Sequence, residues 1–365
     1  MRKSSWAKPV RFEIVDGLRF VSAFWVLLFH LANNHPEAFP VPWPGADLGL
    51  GLQLVISGQM AVIAFFVISG FCIHYPTAMS SRLDAGAFLV RRYVRIGIPL
   101  LFVIACGAAF HLEMWRLNLW GPSSPLLWTI VCELLYYTAY PLLWPLIRRF
   151  GALPVALGSL IPCAFVLAGD KTAHVFQYRG DLLTACVGLP CWLAGTWVAE
   201  RFARDGQPTG AAARWPLPLG RVGIFAVSGL MAWRQFRWVQ APNDLLGIPS
   251  LLVLSSLGIA LWLWNELRHA RLGRWGHLLA RMGAAGYSLY LLHPIAQQIW
   301  REQTFGIAFL VPHSWPHLWG SIGFTLALTW VFHHLLERPS VQLGRWLYHR
   351  MQPIAPPPRP RRSAA

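Results

Sequence analysis

The chain alternates between long apolar stretches and short stretches that hold most of its charged residues. Each apolar stretch is close to the roughly 20 residues that a helix needs to cross the hydrocarbon core of a bilayer. The pattern predicts an all-α, polytopic membrane protein, a bundle of about ten transmembrane helices. The predicted spans are 17–35, 52–73, 95–114, 127–147, 151–169, 182–200, 221–239, 245–265, 283–301 and 318–337.

Arginines fall mainly in alternate loops between these spans. Membrane proteins keep an excess of Lys and Arg in their cytoplasmic loops, so the distribution predicts ten spans with both termini in the cytoplasm. The basic residues on that side are Arg82, Arg91, Arg92, Arg95, Arg148, Arg149, Arg201, Arg204, Arg214, Arg221, Arg268, Arg271, Arg274, Arg281, Arg345, Arg350, Arg359, Arg361 and Arg362. The opposite loops carry Arg116, Lys171 and Arg179, with Arg234 and Arg237 near a span end.

Composition supports a membrane protein over a soluble one. The 365 residues are 55% hydrophobic and only 13% charged, whereas about 25% of residues in a soluble domain are charged. A net charge of +16 would favour nucleic acid if it were clustered on a soluble domain. Here the charges lie between apolar runs, so we expect contact with membrane lipid and no nucleic-acid partner.

The cysteines lie in or beside apolar runs and form no C-x-x-C pair. We interpret them as small buried hydrophobic residues, and we expect neither a disulfide nor a metal site from them. The six are Cys72, Cys106, Cys132, Cys163, Cys186 and Cys191.

The first span carries a cation at its mouth and an imidazole deep inside it. In a helix, Arg19 and His30 would lie within roughly 20° of one face and about 16 Å apart along the axis. Asp16, one turn before Arg19, suits the positive end of the helix. Ionisable residues inside a membrane are costly and indicate a functional site by default.

Two further ionisable residues lie at a similar predicted depth, Glu133 in the fourth span and His293 in the ninth. A bundle could bring them together with His30. A neutral histidine can take a proton from an alcohol while a carboxylate orients it, and cytoplasmic arginines suit the phosphates of a bulky donor.

Each of these polar residues can also have a purely structural role, and the sequence does not decide between the two roles. A buried histidine can simply hydrogen-bond a neighbouring helix, and Glu133 can be the partner of an Arg or His. Ser69 and Gly70 can serve close helix packing. We interpret Glu337, with His333 and His334 beside it, as the end of a span.

Five stretches together resemble acyltransferase family 3, a family of membrane proteins that O-acylate sugars, lipopolysaccharide, other surface glycans and some small molecules. They occur in order along the chain, each in or beside the expected span. The stretches are Asp16-Gly17-Leu18-Arg19 with His30, 65–71 (FFVISGF), 91–96 (RRYVRI) with Pro99, Trp128 with Glu133, Tyr136-Tyr137 and Tyr140-Pro141, and Tyr287-Ser288-Leu289-Tyr290 with His293-Pro294.

The resemblance implies transfer of an acyl group, commonly acetyl, from an acyl-CoA donor to a hydroxyl of a saccharide or glycolipid such as lipopolysaccharide or exopolysaccharide. It implies a transmembrane acyltransferase domain over 1–350 in a bacterial inner membrane, with a disordered, Pro/Arg-rich cytoplasmic tail over 351–365. Acyl-CoA is then a substrate, and no bound cofactor or metal is expected.

The resemblance also assigns roles to residues. Catalysis falls to His30 and Glu133, with Glu133 orienting a histidine or the acceptor. The residues expected to bind the acyl donor are Asp16, Arg19, Arg91, Arg92 and Arg95. The residues expected to line the pocket are Ser69, Trp128, Tyr137, Ser288, Tyr290 and His293.

Buried ionisable residues on ten spans also fit a proton-coupled transporter or exporter of a glycan or lipid. A membrane sensor or scaffold, in which the buried charges are structural, is a further alternative. Neither alternative requires consumption of a thioester.

Overall fold

A computed structural model gives the fold over residues 12–41, 47–109, 127–168, 180–205, 217–240, 247–269, 271–304 and 312–351, and all regular structure in these ranges is helical. The helices are α1 (Glu13–Asn34), α2 (Leu48–Val55), α3 (Gly58–His74), α4 (Ala85–Ala109), α5 (Leu127–Phe150), α6 (Ala152–Ala168), α7 (Asp181–Asp205), α8 (Leu217–Gln240), α9 (Ile248–His269), α10 (Arg274–Gly283), α11 (Gly286–Thr304), α12 (Trp315–Phe332) and α13 (Arg338–Met351). The all-α class is therefore confirmed.

Five of the described helices are long and apolar enough to cross a membrane. They are α1, α3 with the turn that extends it to Thr77, α5, α7 and α9. The helix α6 is apolar but shorter, and α4 and α8 carry arginines among their apolar residues. Every predicted span overlaps a helix, so the chain has the helices of a membrane protein, and the count of ten spans stays a prediction.

Two span boundaries differ from the prediction. The segment 52–73 is interrupted, because α2 ends at Val55 and Ser57 begins α3 as its N-cap. The Ser57 hydroxyl accepts a hydrogen bond from the backbone N–H of Met60 at 3.3 Å. The last segment does not end at residue 337. It passes through a π-helical turn, His333–Glu337, and continues directly as α13.

Glycines allow α3 and α7 to cross with their backbones in contact. A Cβ atom at Gly70 would overlap the carbonyl oxygen of Trp192, and one at Gly195 would overlap the carbonyl oxygen of Val67. Because the overlapping atoms are backbone atoms, they cannot rotate away. The small-residue packing proposed for Gly70 is what the structure has there.

Close packing at a glycine also holds α10 against the first turns of α1. A Cβ at Gly283 would overlap the carbonyl oxygen of Asp16, and Nδ1 of His277 in α10 forms a hydrogen bond with the Glu13 carboxylate at 2.7 Å. Arg281 of α10 and Arg345 of α13 line one cavity with Asp16. The two ends of the described chain therefore lie at the same end of the bundle.

The α3–α7 contact predicts a local sensitivity to side-chain size. We expect Gly70→Ala to lower stability by about 1–3 kcal/mol, because the new methyl group must push two backbones apart. Gly158→Ala in α6 is the matched control, since nothing lies within 4 Å of its Cβ position. The measurement is the unfolding midpoint of each purified variant in detergent, and equal midpoints for Gly70→Ala and wild type would contradict the prediction.

Candidate active site

A small cavity of about 90 Å³ lies within the bundle, enclosed by α1, α3, α4, α5 and α11. We call it the inner cavity. Its polar lining is Arg19, Ser69, Arg92, Arg95, Thr129, Glu133, Tyr137, Tyr287 and Tyr290. Seven of these were singled out from the sequence as site residues, and the fold brings them to one place from five different helices.

Glu133 is the centre of the hydrogen bonds in this cavity. Its carboxylate accepts from the hydroxyl of Ser69 at 2.9 Å and from the hydroxyl of Tyr137, one helical turn away. The indole N–H of Trp192 donates to the Ser69 oxygen at 3.3 Å. Each hydroxyl therefore points its proton at the carboxylate, which keeps Glu133 fixed and acceptor-only.

The arginines predicted to bind a donor separate into two groups. The Arg92 guanidinium lies over the rings of Phe88 and Tyr137, at 5.6 and 5.9 Å, and borders the inner cavity together with Arg95. Arg91 instead lies over the ring of Tyr348 on α13, at 5.6 Å. The i, i+1 neighbours Arg91 and Arg92 thus face different surroundings, as neighbours on a helix must.

A much larger cavity, of about 940 Å³, opens at the end of the bundle where α1, α10, α12 and α13 meet. We call it the arginine cavity. Its ionisable lining is Asp16, Arg19, Arg95, Arg281, His333, His334, Glu337, Arg338 and Arg345. Arginines outnumber carboxylates there, so the cavity suits a ligand with several negative charges. Arg19 and Arg95 border both cavities.

The π-helical turn contributes a buried carboxylate that the sequence interpretation missed. One oxygen of Glu337, itself 1% exposed, accepts from Ser288 Oγ at 2.5 Å, from the Ser288 backbone N–H at 3.3 Å and from His333 Nδ1 at 2.9 Å. We interpreted Glu337 and His333 as a span terminus because a charged residue after an apolar run normally reaches water. π-helical turns are frequent at functional sites. The additional residue in this turn could not be predicted from the sequence.

Ser288 and Trp128 lie outside the inner cavity. Ser288 is fully buried against Glu337, and the Trp128 ring packs edge-on against Phe66 at 6.2 Å. These two residues were predicted to line the pocket and instead support its walls. Ser288 lies on the side of α11 that faces Glu337, and Trp128 lies within the core.

The two histidines predicted at similar depth do meet. The ring centroids of His30 and His293 are 5.3 Å apart, and the planes are inclined by 30°. The pair lies behind Tyr290, whose ring is 5.9 Å from that of His293 and whose hydroxyl pairs with Thr129 Oγ1 at 2.6 Å. Within the described ranges, the hydrogen bonds of Glu133 go to hydroxyls and not to either imidazole.

Comparisons with known proteins point to one class of protein. A family model described as an acyltransferase domain, that of acyltransferase family 3, matches residues 12–334. The acyltransferase MdmB of Streptomyces mycarofaciens is 23% identical over 326 residues, which cover 78% of this chain and 79% of MdmB. No solved structure matches the chain. The family match begins at α1 and ends within the π-helical turn.

The cluster around Glu337 predicts an unequal response to two substitutions. We expect Glu337→Ala to lower stability by about 3 kcal/mol or more, because it leaves three buried donors without an acceptor. Glu337→Gln keeps a carbonyl oxygen at the site and should lose less. The unfolding midpoint in detergent measures both. Glu302→Ala, at an exposed position of α11, is the control. If Glu337→Ala lowered the midpoint no more than Glu302→Ala does, Glu337 would not be the acceptor that holds these donors.

Proposed function

The chain belongs to acyltransferase family 3, and from this premise we propose that it transfers an acyl group, in the simplest case acetyl, from acyl-CoA to a hydroxyl of a cell-surface saccharide. It is a transferase enzyme of a membrane. The observation that carries the proposal is that Arg19 and Arg95 line both the arginine cavity and the inner cavity.

The donor is assigned to the arginine cavity. Coenzyme A carries several phosphate charges, and guanidinium groups bind phosphate oxygens through paired N–H donors. The cavity volume of about 940 Å³ is in the range of sites that enclose small-molecule ligands. A donor held there by its phosphates would direct its thioester between Arg19 and Arg95 into the inner cavity.

The acceptor is assigned to the side of the inner cavity where His30 and His293 lie. An imidazole takes the proton of the acceptor hydroxyl as its oxygen bonds to the acyl carbon, the carbon–sulfur bond breaks, and the proton passes to the leaving thiolate. The products are an ester and free coenzyme A. Glu133 is in contact with hydroxyl groups. It is therefore better suited to orient a hydroxyl-bearing acceptor than to orient a histidine.

The surroundings of the bundle fit a lipid phase. Large apolar side chains such as Leu142, Phe165 and Leu335 are 68–77% exposed on the helices, and such side chains are stable facing acyl chains. With the arginine-rich end in the cytoplasm, the donor would enter from the cell interior of a bacterial inner membrane. The acceptor would then reach the histidines from the bilayer or the far side.

Membership of an acyltransferase family favours the enzyme over the transporter that the buried ionisable residues also allowed. A transporter would move its cargo without consuming a thioester. Release of coenzyme A by the purified protein in proteoliposomes therefore separates the two functions.

The arginine cavity predicts a donor-specific defect. We expect Arg95→Ala to raise the KM for acetyl-CoA by about tenfold or more, since it removes a charged hydrogen-bonding partner. Arg95→Lys should recover part of the loss because it keeps the charge. Arg301→Ala, on an exposed position at the other end of α11, is the control. An unchanged KM in Arg95→Ala would remove this residue from the donor site.

The histidine pair predicts a defect in the chemical step. We expect His30→Ala to reduce transfer of radiolabelled acetyl groups into the glycan fraction of membranes by about 10²-fold or more, because it removes one member of the imidazole pair that handles the proton of the acceptor hydroxyl. Protein levels in the membrane are compared by immunoblot. His349→Ala, exposed on α13, is expected to retain full incorporation, and full incorporation by His30→Ala would exclude the role.

A further inference from the structure

Pro294 changes the hydrogen bonding of the helix that carries His293. A proline has no backbone N–H, so it cannot donate the helical bond that the carbonyl of the residue four positions earlier would receive. That residue is Tyr290. Its carbonyl oxygen instead lies 2.8 Å from His293 Nδ1, and the carbonyl oxygen of Leu289 lies 3.3 Å from the same nitrogen.

These two contacts determine which nitrogen of His293 carries the hydrogen. A carbonyl oxygen only accepts hydrogen bonds, so Nδ1 must be the donor. A neutral imidazole has one N–H, which leaves Nε2 with a bare lone pair. The adjacent proline therefore selects one tautomer of the histidine.

The lone pair on Nε2 is buried and has no hydrogen-bond partner among the described residues. His293 is 0% exposed. An unsatisfied buried acceptor costs on the order of 1–3 kcal/mol, and such groups in native proteins usually serve chemistry or bind a molecule that arrives. The ring centroid of the neighbouring His30 is 5.3 Å from that of His293, yet His30 donates no hydrogen bond to Nε2.

We propose that His293 Nε2 is the base that accepts the proton of the acceptor hydroxyl, and that Pro294 is a positioning residue that fixes the required tautomer. The inference rests on the proposed acyl transfer. As the acceptor oxygen bonds to the acyl carbon, its proton moves to Nε2 and the thiolate leaves. The proton then passes from Nε2 to sulfur, which returns His293 to its neutral tautomer.

His30 acquires a different role in this scheme. Two imidazolium rings 5.3 Å apart repel each other, so the pair favours holding one proton at a time. While His293 carries the transferred proton, His30 stays neutral beside it. The stacked pair can therefore accept a single proton and must release it before the next turnover.

The tautomer is testable without any substrate. Protein labelled with ¹³C and ¹⁵N at histidine is reconstituted in liposomes and examined by solid-state NMR, and the His293 signals are those lost in His293→Asn. We expect an unprotonated nitrogen correlated with Cδ2, the carbon bonded to Nε2. A protonated nitrogen at that position in the resting protein would overturn the proposal.

The role of the proline is tested by restoring the missing N–H. In Pro294→Ala the new backbone N–H competes for the Tyr290 carbonyl, so we expect a second population with protonated Nε2 and a loss of acetyl transfer of about tenfold. Pro162→Ala, which makes the same change inside α6 at an exposed position, should alter neither the spectrum nor the activity. An unchanged His293 spectrum in Pro294→Ala would overturn the positioning role.

The role of the imidazole is tested by replacing it with an amide. Asparagine at 293 can keep the hydrogen bond to the Tyr290 carbonyl but has no base, so we expect His293→Asn to fold normally and to lose about 10²-fold or more of acetyl transfer. Recovery of activity in His293→Asn would show that only the hydrogen bond matters. If wild-type protein fails to use acetyl-CoA while the NMR shows the expected tautomer, the proposed donor is wrong and the tautomer assignment stands.

Discussion

A helix bundle in lipid must satisfy every buried polar group from within, because no water is available to do so. Three carboxylates of this protein, those of Glu133, Glu266 and Glu337, follow this rule. Glu266 is 1% exposed and accepts from both Nε and Nη2 of Arg221, at 2.8 and 3.0 Å, and from Trp262 Nε1 at 3.0 Å. Glu133 and Glu337 gather their own donors in the same way. Several buried side-chain atoms of the described residues depart from the rule, and among them the unmatched lone pair of His293 Nε2 lies beside a second imidazole.

Much of the fold and part of the site could be predicted from the sequence. Apolar length identified the five helices that line the inner cavity, but not α10 and α13, which line the arginine cavity. The eleven-residue spacing placed Arg19 and His30 on one face of α1, so that Arg19 borders the inner cavity and His30 meets His293. Such arguments work because helical geometry is regular within one element. The hydrogen bond from Ser69 to Glu133, and the one that Ser69 accepts from Trp192, could not be predicted, since Ser69 and Trp192 come from helices whose packing depends on the glycines of α3 and α7.

The contribution of the π-helical turn was beyond sequence reasoning for a different reason. An ordinary helical pattern assigns His333 and Glu337 to the end of a span, where both would meet water. The additional residue in the turn instead directs them toward the arginine cavity and toward Ser288. The domain boundary predicted at residue 350 lies at the end of α13, and the predicted tail falls outside the described residues.

The helix α11 links the two halves of the site mechanically. Its first turn is held by Glu337, which accepts from the Ser288 N–H at 3.3 Å, one of the donors that a helix start leaves unpaired. Tyr287 of the same turn donates to the carbonyl of Ile96 on α4 at 2.9 Å. Tyr290 and His293 follow within two turns on the same rigid helix. A carboxylate that borders the arginine cavity thereby fixes the depth at which Tyr290 faces the inner cavity and His293 presents Nε2. The single helix α11 therefore fixes the position of the histidine pair relative to the arginine cavity.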